Sequence, residues 1–266
     1  MNLILGLAAA YLVVALLLWA FQERITFPAP RAALPDPQRV APGGERIELV
    51  MHDGTRLAGW YLPPERPAPP FAALLWFYGN GETIGAIWPV IRDFRPPGAA
   101  LLVVDYPGYG ASGGRASEAG IYETGALAYR ALASRSGVDP KRIYVYGRSL
   151  GSAVATRTAA DFPAAGLILE SPFTSAREMA ARTYRIFPLF LVRLQLNNLK
   201  TIRQVRCPVL VFHGTADRLA PMDMGRRVAE AAPGQKEFVM IEGAGHNETY
   251  DVGGQAYREK LAQFVR

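Results

Sequence analysis

The sequence predicts an α/β fold with a mostly parallel central sheet, helices on both faces, a small helical cap and an N-terminal transmembrane helix. Three observations carry that expectation. From residue 71 onward, short apolar runs of strand character alternate with helix-length segments, the pattern of a parallel sheet covered by crossover helices. The chain has 266 residues, enough for one large α/β domain with a substantial core. Residues 3–21, "LILGLAAAYLVVALLLWAF", carry no charge and have the length a helix needs to cross a bilayer.

Taken in order, the apolar run fits an uncleaved anchor at residues 1–22 better than a signal peptide. No Lys or Arg precedes it, it exceeds a usual signal core, and Leu18 and Trp19 fit a small-x-small cleavage site poorly. Arg24, Arg31 and Arg39 all follow the run, which favours a single-pass anchor with the remaining chain on the cytoplasmic side. Residues 23–44 include "PAPRAALPDPQRVAPGG", whose proline density predicts an extended linker rather than packed structure. The folded domain is expected over 45–266. It opens with two strand-like runs around Asp53-Gly54, a hairpin signal. Next comes "FAALLWFYG", an unbroken apolar run typical of a strand buried on both faces. Further strands are expected at 99–105, 142–146, 166–169, 208–213 and 237–241, and helices at 83–93, 117–134, 150–161, 223–232 and 255–264. The interval 172–206 is too long for a simple connection. Its segment "IFPLFLVRLQL" can pack over a site or form a peripheral helix, and a cap insertion is the favoured reading.

Composition narrows the function. Half of the residues are hydrophobic, and the net charge of +6 is spread along the chain. A diffuse positive excess suits anionic lipid. No basic run is interleaved with aromatics, so nucleic acid is not an expected partner. The one cysteine, Cys207, precludes an intramolecular disulfide and reads as a buried structural thiol. No His, Cys, Asp and Glu cluster has metal-ligand spacing, and no cofactor is expected. The run "GYGASG" at 108–113 satisfies a dinucleotide-binding spacing, but Pro107 intervenes and more loop precedes any helix, which argues against that use.

Residues 142–156, "RIYVYGRSLGSAVAT", place Ser149 between Gly147 and Gly151 at the junction of a strand and a helix. A sharp turn there lifts a hydroxyl above the carboxyl end of the sheet, and glycines two places either side remove Cβ clashes. Ser152, one turn into the helix, reads as a packing residue. A serine nucleophile needs a base, and the base needs an orienting acid. This elbow resembles that of the α/β-hydrolases, and the resemblance implies the chain order serine, acid, histidine. Of the three histidines, His52 precedes the serine and His213 ends a strand as a core residue would, whereas His246 sits in the Gly-rich loop "GAGHNET" after the last strand. Asp217 in "HGTADRLAP" is the favoured acid, with Glu170 in "LILESPF" its competitor. Two backbone donors are expected to hold the oxyanion: the N–H of Leu150 and that of Asn80 in "FYGNGET". Arg148, beside the serine, is read either as a substrate contact or as the partner of a carboxylate.

The set "FYGNGE", "DYPGYGASGG", "YVYGRSLGSAVA", "LESPFTS", "VLVFHGTADRLAP" and "GAGHNET" resembles the α/β-hydrolase superfamily, and more narrowly the membrane-anchored Bem46-like (ABHD13/ABHD17-like) serine hydrolases. The resemblance runs from about residue 47 to the C-terminus. It implies Ser149 as nucleophile, Asp217 as acid and His246 as base, and it makes an N-terminal anchor expected. Relatives usually begin the oxyanion stretch His-Gly-Asn, whereas this chain has Tyr78-Gly79-Asn80, which keeps the backbone donor and loses the histidine side chain. The expected activity is hydrolysis of a carboxylic ester or thioester of a small-molecule or lipid-like substrate with an apolar acyl group. A serine aminopeptidase or amidase with the same triad is the alternative, and a non-catalytic binding module the third.

Overall fold

In the computed structural model, which describes residues 1–265, the apolar N-terminal run is a single helix, α1 (Asn2–Thr26), bent at Phe21. It extends one turn beyond the 1–22 segment expected from hydropathy. Most of its surface is exposed, but Tyr11, Ala15, Leu18 and Gln22 recur at helical spacing and face the 172–206 interval. The Tyr11 hydroxyl donates to Ile186 O at 2.9 Å and its ring stacks on Phe187. Gln22 Nε2 donates to Leu191 O at 3.0 Å, and Gln22 Oε1 accepts from the N–H groups of Arg193 and Leu194.

The proline-rich stretch corrects the linker expectation. Residues 27–36 are extended and a 3-10 turn follows at Pro37–Arg39, yet the segment lies against the domain as a strap. Phe27, Pro37 and Ala41 are buried, and Arg31 forms a parallel bridge with Gly110. Trp60 Nε1 donates to Pro35 O at 3.1 Å, and Arg46 to Leu34 O at 2.9 Å. Proline fixes φ and removes donors, so such a segment stays straight and presents acceptors. Buried apolar side chains between the prolines then tie it to the core.

The sheet has eight strands: β1 (Glu45–Val50), β2 (Arg56–Leu62), β3 (Phe71–Phe77), β4 (Ala100–Val104), β5 (Val138–Arg148), β6 (Gly166–Glu170), β7 (Val209–Gly214) and β8 (Lys236–Ile241). Their spatial order is β1-β2-β4-β3-β5-β6-β7-β8. β1 and β2 form the opening hairpin, whose turn uses Gly54 at φ +83° and the Asp53 carboxylate, which accepts the Thr55 N–H. Antiparallel pairing joins β1 to β2 and β2 to β4, and every later pair is parallel. β3, the first strand of the parallel set, is buried from Ala72 to Phe77, as its unbroken apolar sequence predicts.

The helices are α2 (Ile84–Phe94), α3 (Glu118–Ala133), α4 (Leu150–Asp161), α5 (Ala176–Thr183), α6 (Asn198–Thr201), α7 (Met222–Ala231) and α8 (Thr249–Phe264). Thr83, Ser117 and Ser175 cap α2, α3 and α5 through their hydroxyls. α2 packs on α8, while α3 packs on α4 and α4 on α6, giving two helical layers. The sequence expectation for α8 begins only at 255. The helical stretch in fact starts at Thr249 and bends at Gly254, whose φ of +48° interrupts the periodicity. The interval 172–206 contains little regular structure: α5, α6 and short 3-10 turns at Leu189–Leu191 and Ile202–Gln204. β3 and β5 are neighbours in register, Phe77 opposite Gly147. The loops leaving their carboxyl ends therefore emerge side by side, where ligands bind in open α/β sheets.

Candidate active site

Ser149 occupies the turn between β5 and α4 at φ +49°, ψ −114°, backbone that a non-glycine residue rarely adopts. The flanking glycines make it possible. A Cβ on Gly147 would lie 2.3 Å from Gly151 O, and one on Gly151 would lie 2.2 Å from Phe77 O. The Ser149 N–H donates to Glu170 O at 2.9 Å, pinning the turn to β6. Leu150 opens α4, so its N–H has no intrahelical acceptor and the positive end of the helix lies at the serine.

His246 and Asp217 reach this serine from the loops after β8 and β7. Ser149 Oγ lies 2.8 Å from His246 Nε2, and His246 Nδ1 lies 2.7 Å from Asp217 Oδ2. The other carboxylate oxygen, Oδ1, accepts the N–H groups of Leu219 and Ala220 at 3.0 and 2.9 Å. Burial alone would push the Asp217 carboxyl up. The hydrogen bonds from His213 and His246, the electrostatic attraction of His246 and the Ala220 N–H outweigh it and hold Asp217 well below the usual carboxylate range. An ionised Asp217 only accepts, so Nδ1 of His246 carries the proton and Nε2 offers its lone pair to the serine hydroxyl. Glu170, the competing acid of the sequence reading, has no contact with His246. It is fully buried and takes hydrogen bonds from Tyr146, Thr249 and, at 3.4 Å, Tyr257.

Asn80 lies beside Ser149 and Leu150 on the same cavity. Its side chain is already engaged: Nδ2 donates to Thr26 O at 2.7 Å and Oδ1 accepts from Tyr109 Oη at 2.6 Å. Tyr78, which stands where the resemblance implied a histidine, is buried with its hydroxyl on Asp105 Oδ1 at 2.8 Å.

Sequence reasoning missed a network that joins these loops. Arg148 is only 3% exposed. Its guanidinium is paired with Glu82, lies 3.3 Å from Glu170 Oε1, and donates to Asn247 Oδ1 at 2.8 Å and His246 O at 3.3 Å. Glu82 in turn accepts the Gly79 N–H at 2.6 Å. Burial would lower the Arg148 pKa, but Glu170 and Glu82 more than offset it, and the charge is held firmly. The residue beside the serine thus pairs with carboxylates and clamps the loops of Asn80 and His246 behind the site. The contact of His213 with Asp217 was also missed. Read as a core histidine, it is buried, and its Nε2 lies 2.8 Å from Ala220 O and 3.2 Å from Asp217 Oδ2. The His213/Asp217 spacing of four across the turn after β7 was the available signal. Ser152, read as packing, accepts from Asn198 Nδ2 at 2.8 Å and so ties α4 to the cap segment.

Ser149 opens into a cavity of about 320 Å3. Leu18 and Trp19 of α1, Met179 of α5, and Phe187, Leu191 and Leu194 form much of its apolar wall. Among the described residues, no carboxylate lines it.

Comparison with known proteins places these features in a family. Residues 68–203 match the family described as serine aminopeptidase, S33. The chain is 33% identical to Mycobacterium tuberculosis protein Rv2307c over 255 residues, covering 95% of this chain and 90% of that one. It is 36% identical to human alpha/beta hydrolase domain-containing protein 17B over 197 residues, 72% of this chain and 65% of that one. Among solved structures, the Pyrococcus furiosus esterase Pf2001 superposes with a TM-score of 0.72 at 21% identity, over 89% of this chain and 97% of that one, a likeness of fold.

Proposed function

This chain belongs to the α/β-hydrolase superfamily, within the family described as serine aminopeptidase, S33, and from that premise we propose that it cleaves carboxylic esters or thioesters of apolar acids through a Ser149–His246–Asp217 triad. The observation that carries this reading is the unbroken relay from Asp217 through His246 to Ser149, opening into an apolar cavity.

In the proposed cycle, Ser149 Oγ attacks the carbonyl carbon while its proton passes to His246 Nε2. Asp217 holds the imidazole in the needed tautomer and faces the positive charge it acquires. The tetrahedral oxyanion is met by the N–H groups of Leu150 and Asn80. Collapse expels the alkoxide or thiolate, which leaves with the proton from His246, and the acyl group remains on Ser149. Water then adds to the acyl carbon, giving one proton to His246, and the second collapse returns that proton to Ser149 Oγ and frees the acid. The alternative, an aminopeptidase, needs a counter-charge for the substrate ammonium, and the cavity wall offers no carboxylate among the described residues. The apolar wall instead supports an acyl chain of several carbons. In this reading α1 serves as a single-pass anchor, and Arg24 in its last turn, with Arg31 and Arg39 beyond it, favours the cytoplasmic side for the hydrolase domain.

A fluorophosphonate probe tests the nucleophile. The wild-type protein is expected to label and Ser149→Ala to be inert; labelling that survives the substitution refutes the assignment. A panel of esters, thioesters and aminoacyl amides of graded chain length then tests the substrate class, and turnover confined to aminoacyl amides would establish the peptidase alternative.

A further inference from the structure

Tyr11 makes α1 more than a tether. It precedes Trp19 by eight residues, about 12 Å along a helix rising 1.5 Å per residue. Yet its side chain holds the cap, through Ile186 O and the Phe187 ring. Trp19 itself carries Arg193, whose guanidinium sits 4.7 Å from the indole centroid and donates to Trp19 O at 3.0 Å. A tryptophan with an arginine over it is the pairing expected at a membrane–water interface. Ile186 and Phe187 of the cap tip, residues 184–191, therefore lie on the N-terminal side of that level, alongside the apolar part of α1, while Leu191, held by Gln22, lies on the other side of Trp19.

The outward surface of the tip is matched to hydrocarbon. Ile186 is 75% exposed and Phe190 77%, with Tyr184 beside them. Leu12 and Leu16 of α1 are exposed as well, and Tyr11 of the same helix touches Ile186 and Phe187 of the tip. A contiguous apolar patch of this kind is unfavourable in water and suits a lipid or protein surface. The occupant is argued from α1: its uncharged run is long enough to cross a bilayer, and the tip is bound to that same helix through Tyr11. Only one charge, Arg185, lies within 184–191, and Arg182 and Arg193 flank the tip. Long arginine stems reach toward phosphates from such positions, in keeping with an anionic leaflet.

We propose that the cap tip is embedded together with α1 in one lipid leaflet, so that the cavity over Ser149 opens to hydrocarbon and receives its acyl chain sideways from the bilayer. The substrate is then an ester or thioester whose acyl chain already resides in the membrane. This deepens the hydrolase reading and rests on it for the chemistry, though not for the insertion. Leu18, Trp19 and Ile25 of α1 line the cavity, so the helix that meets lipid on its outer side is also the inner wall of the acyl site.

The test uses the full chain with Cys207→Ser and Ile186→Cys, labelled with the environment-sensitive fluorophore NBD and reconstituted into phosphatidylcholine–phosphatidylglycerol vesicles. Blue-shifted emission, quenched more strongly by spin labels on the acyl chains than on the headgroups, is expected. Emission that stays at its aqueous wavelength and escapes acyl-chain quenching overturns the proposal. In a second arm, Ile186→Ser combined with Phe190→Ser is expected to lose about tenfold or more activity on a long-chain acyl ester held in the vesicles. Hydrolysis of a soluble butyrate ester and fluorophosphonate labelling of Ser149 should be retained. Equal activity of wild type and variant on both substrates, or equal loss on both, counts against the proposal. A protein whose tip is quenched by acyl-chain labels but whose Ser149 never reacts would uphold the insertion and defeat the hydrolase reading.

Discussion

Two regions close the cavity over Ser149, one from the sheet and one from the cap. On the sheet side, backbone touches backbone: no Cβ fits at Gly147 or Gly151, and the Ser149 N–H is bound to Glu170 O. Beneath it, a buried arginine joins Glu82, Glu170, Asn247 and the carbonyl of His246. On the cap side, neither α5 nor the Leu189–Leu191 turn buries a residue, and the tip is fastened mainly to Tyr11 and Gln22 of α1. Reacting groups placed within fractions of an ångström need the first kind of support. A surface that meets a flexible chain or a fluid leaflet works with the second.

Perturbing each side in turn sharpens the contrast. The largest effect is expected from Gly151→Ala, whose new methyl meets the Phe77 carbonyl. Stability should fall by more than about 5 kcal/mol, so that folded protein is lost or nearly so. Thermal unfolding measures it, and a wild-type Tm would mean the turn is looser than it looks. Asp217→Asn should lower kcat about 10^4-fold by leaving His246 in the wrong tautomer. The pH behaviour follows from the depressed Asp217 carboxyl. Its contribution to stability is present above the ordinary carboxylate pKa of about 3.9 and is lost only as pH falls through the much lower folded-state value. An acid-unfolding series should therefore show wild type and Asp217→Asn converging only in strong acid.

Arg148→Lys keeps the charge and loses the planar fork, so the loops of Asn80 and His246 are no longer held together. We expect kcat to fall roughly 10- to 100-fold with KM little changed, as for other supporting-shell losses. Arg148→Met, which strands two carboxylates, should cost about 3–5 kcal/mol of stability. A KM effect alone would reassign Arg148 to substrate contact. The smallest effect belongs to the cap: Ile186→Ser in detergent should shift stability by no more than about 0.5 kcal/mol. A large drop in Tm there would erase the distinction between the two regions.

Much of the fold was legible because burial leaves a mark in sequence. "FAALLWF" is apolar at every position because both faces of β3 are covered, and "YGRSLGS" shows glycines where no side chain fits. The order of Ser149, Asp217 and His246 along the chain sufficed to nominate three side chains that lie within hydrogen-bonding distance. Other features left no such mark. The partners of Arg148 lie dozens of residues away in either direction, and a single charged pair has no period to detect. The face of α1 that meets the cap was hidden for the opposite reason: in a run where nearly every residue is apolar, none of them marks a side. The packed strap at 27–44 escaped because proline density reads as linker, while Phe27 and Ala41, the residues that dock it, are too sparse to form a pattern.

The hydrogen bond from Asn80 Nδ2 to Thr26 O joins the last residue of α1 to the loop proposed to hold the oxyanion. Proteolytic release just beyond that helix would do more than free the domain into solution. It would strip a wall from the cavity over Ser149 and unfasten Asn80 in the same cut, so a shed domain is expected to be a silenced one. Attachment and competence would then be a single property, and activity would remain confined to the membrane that holds the enzyme.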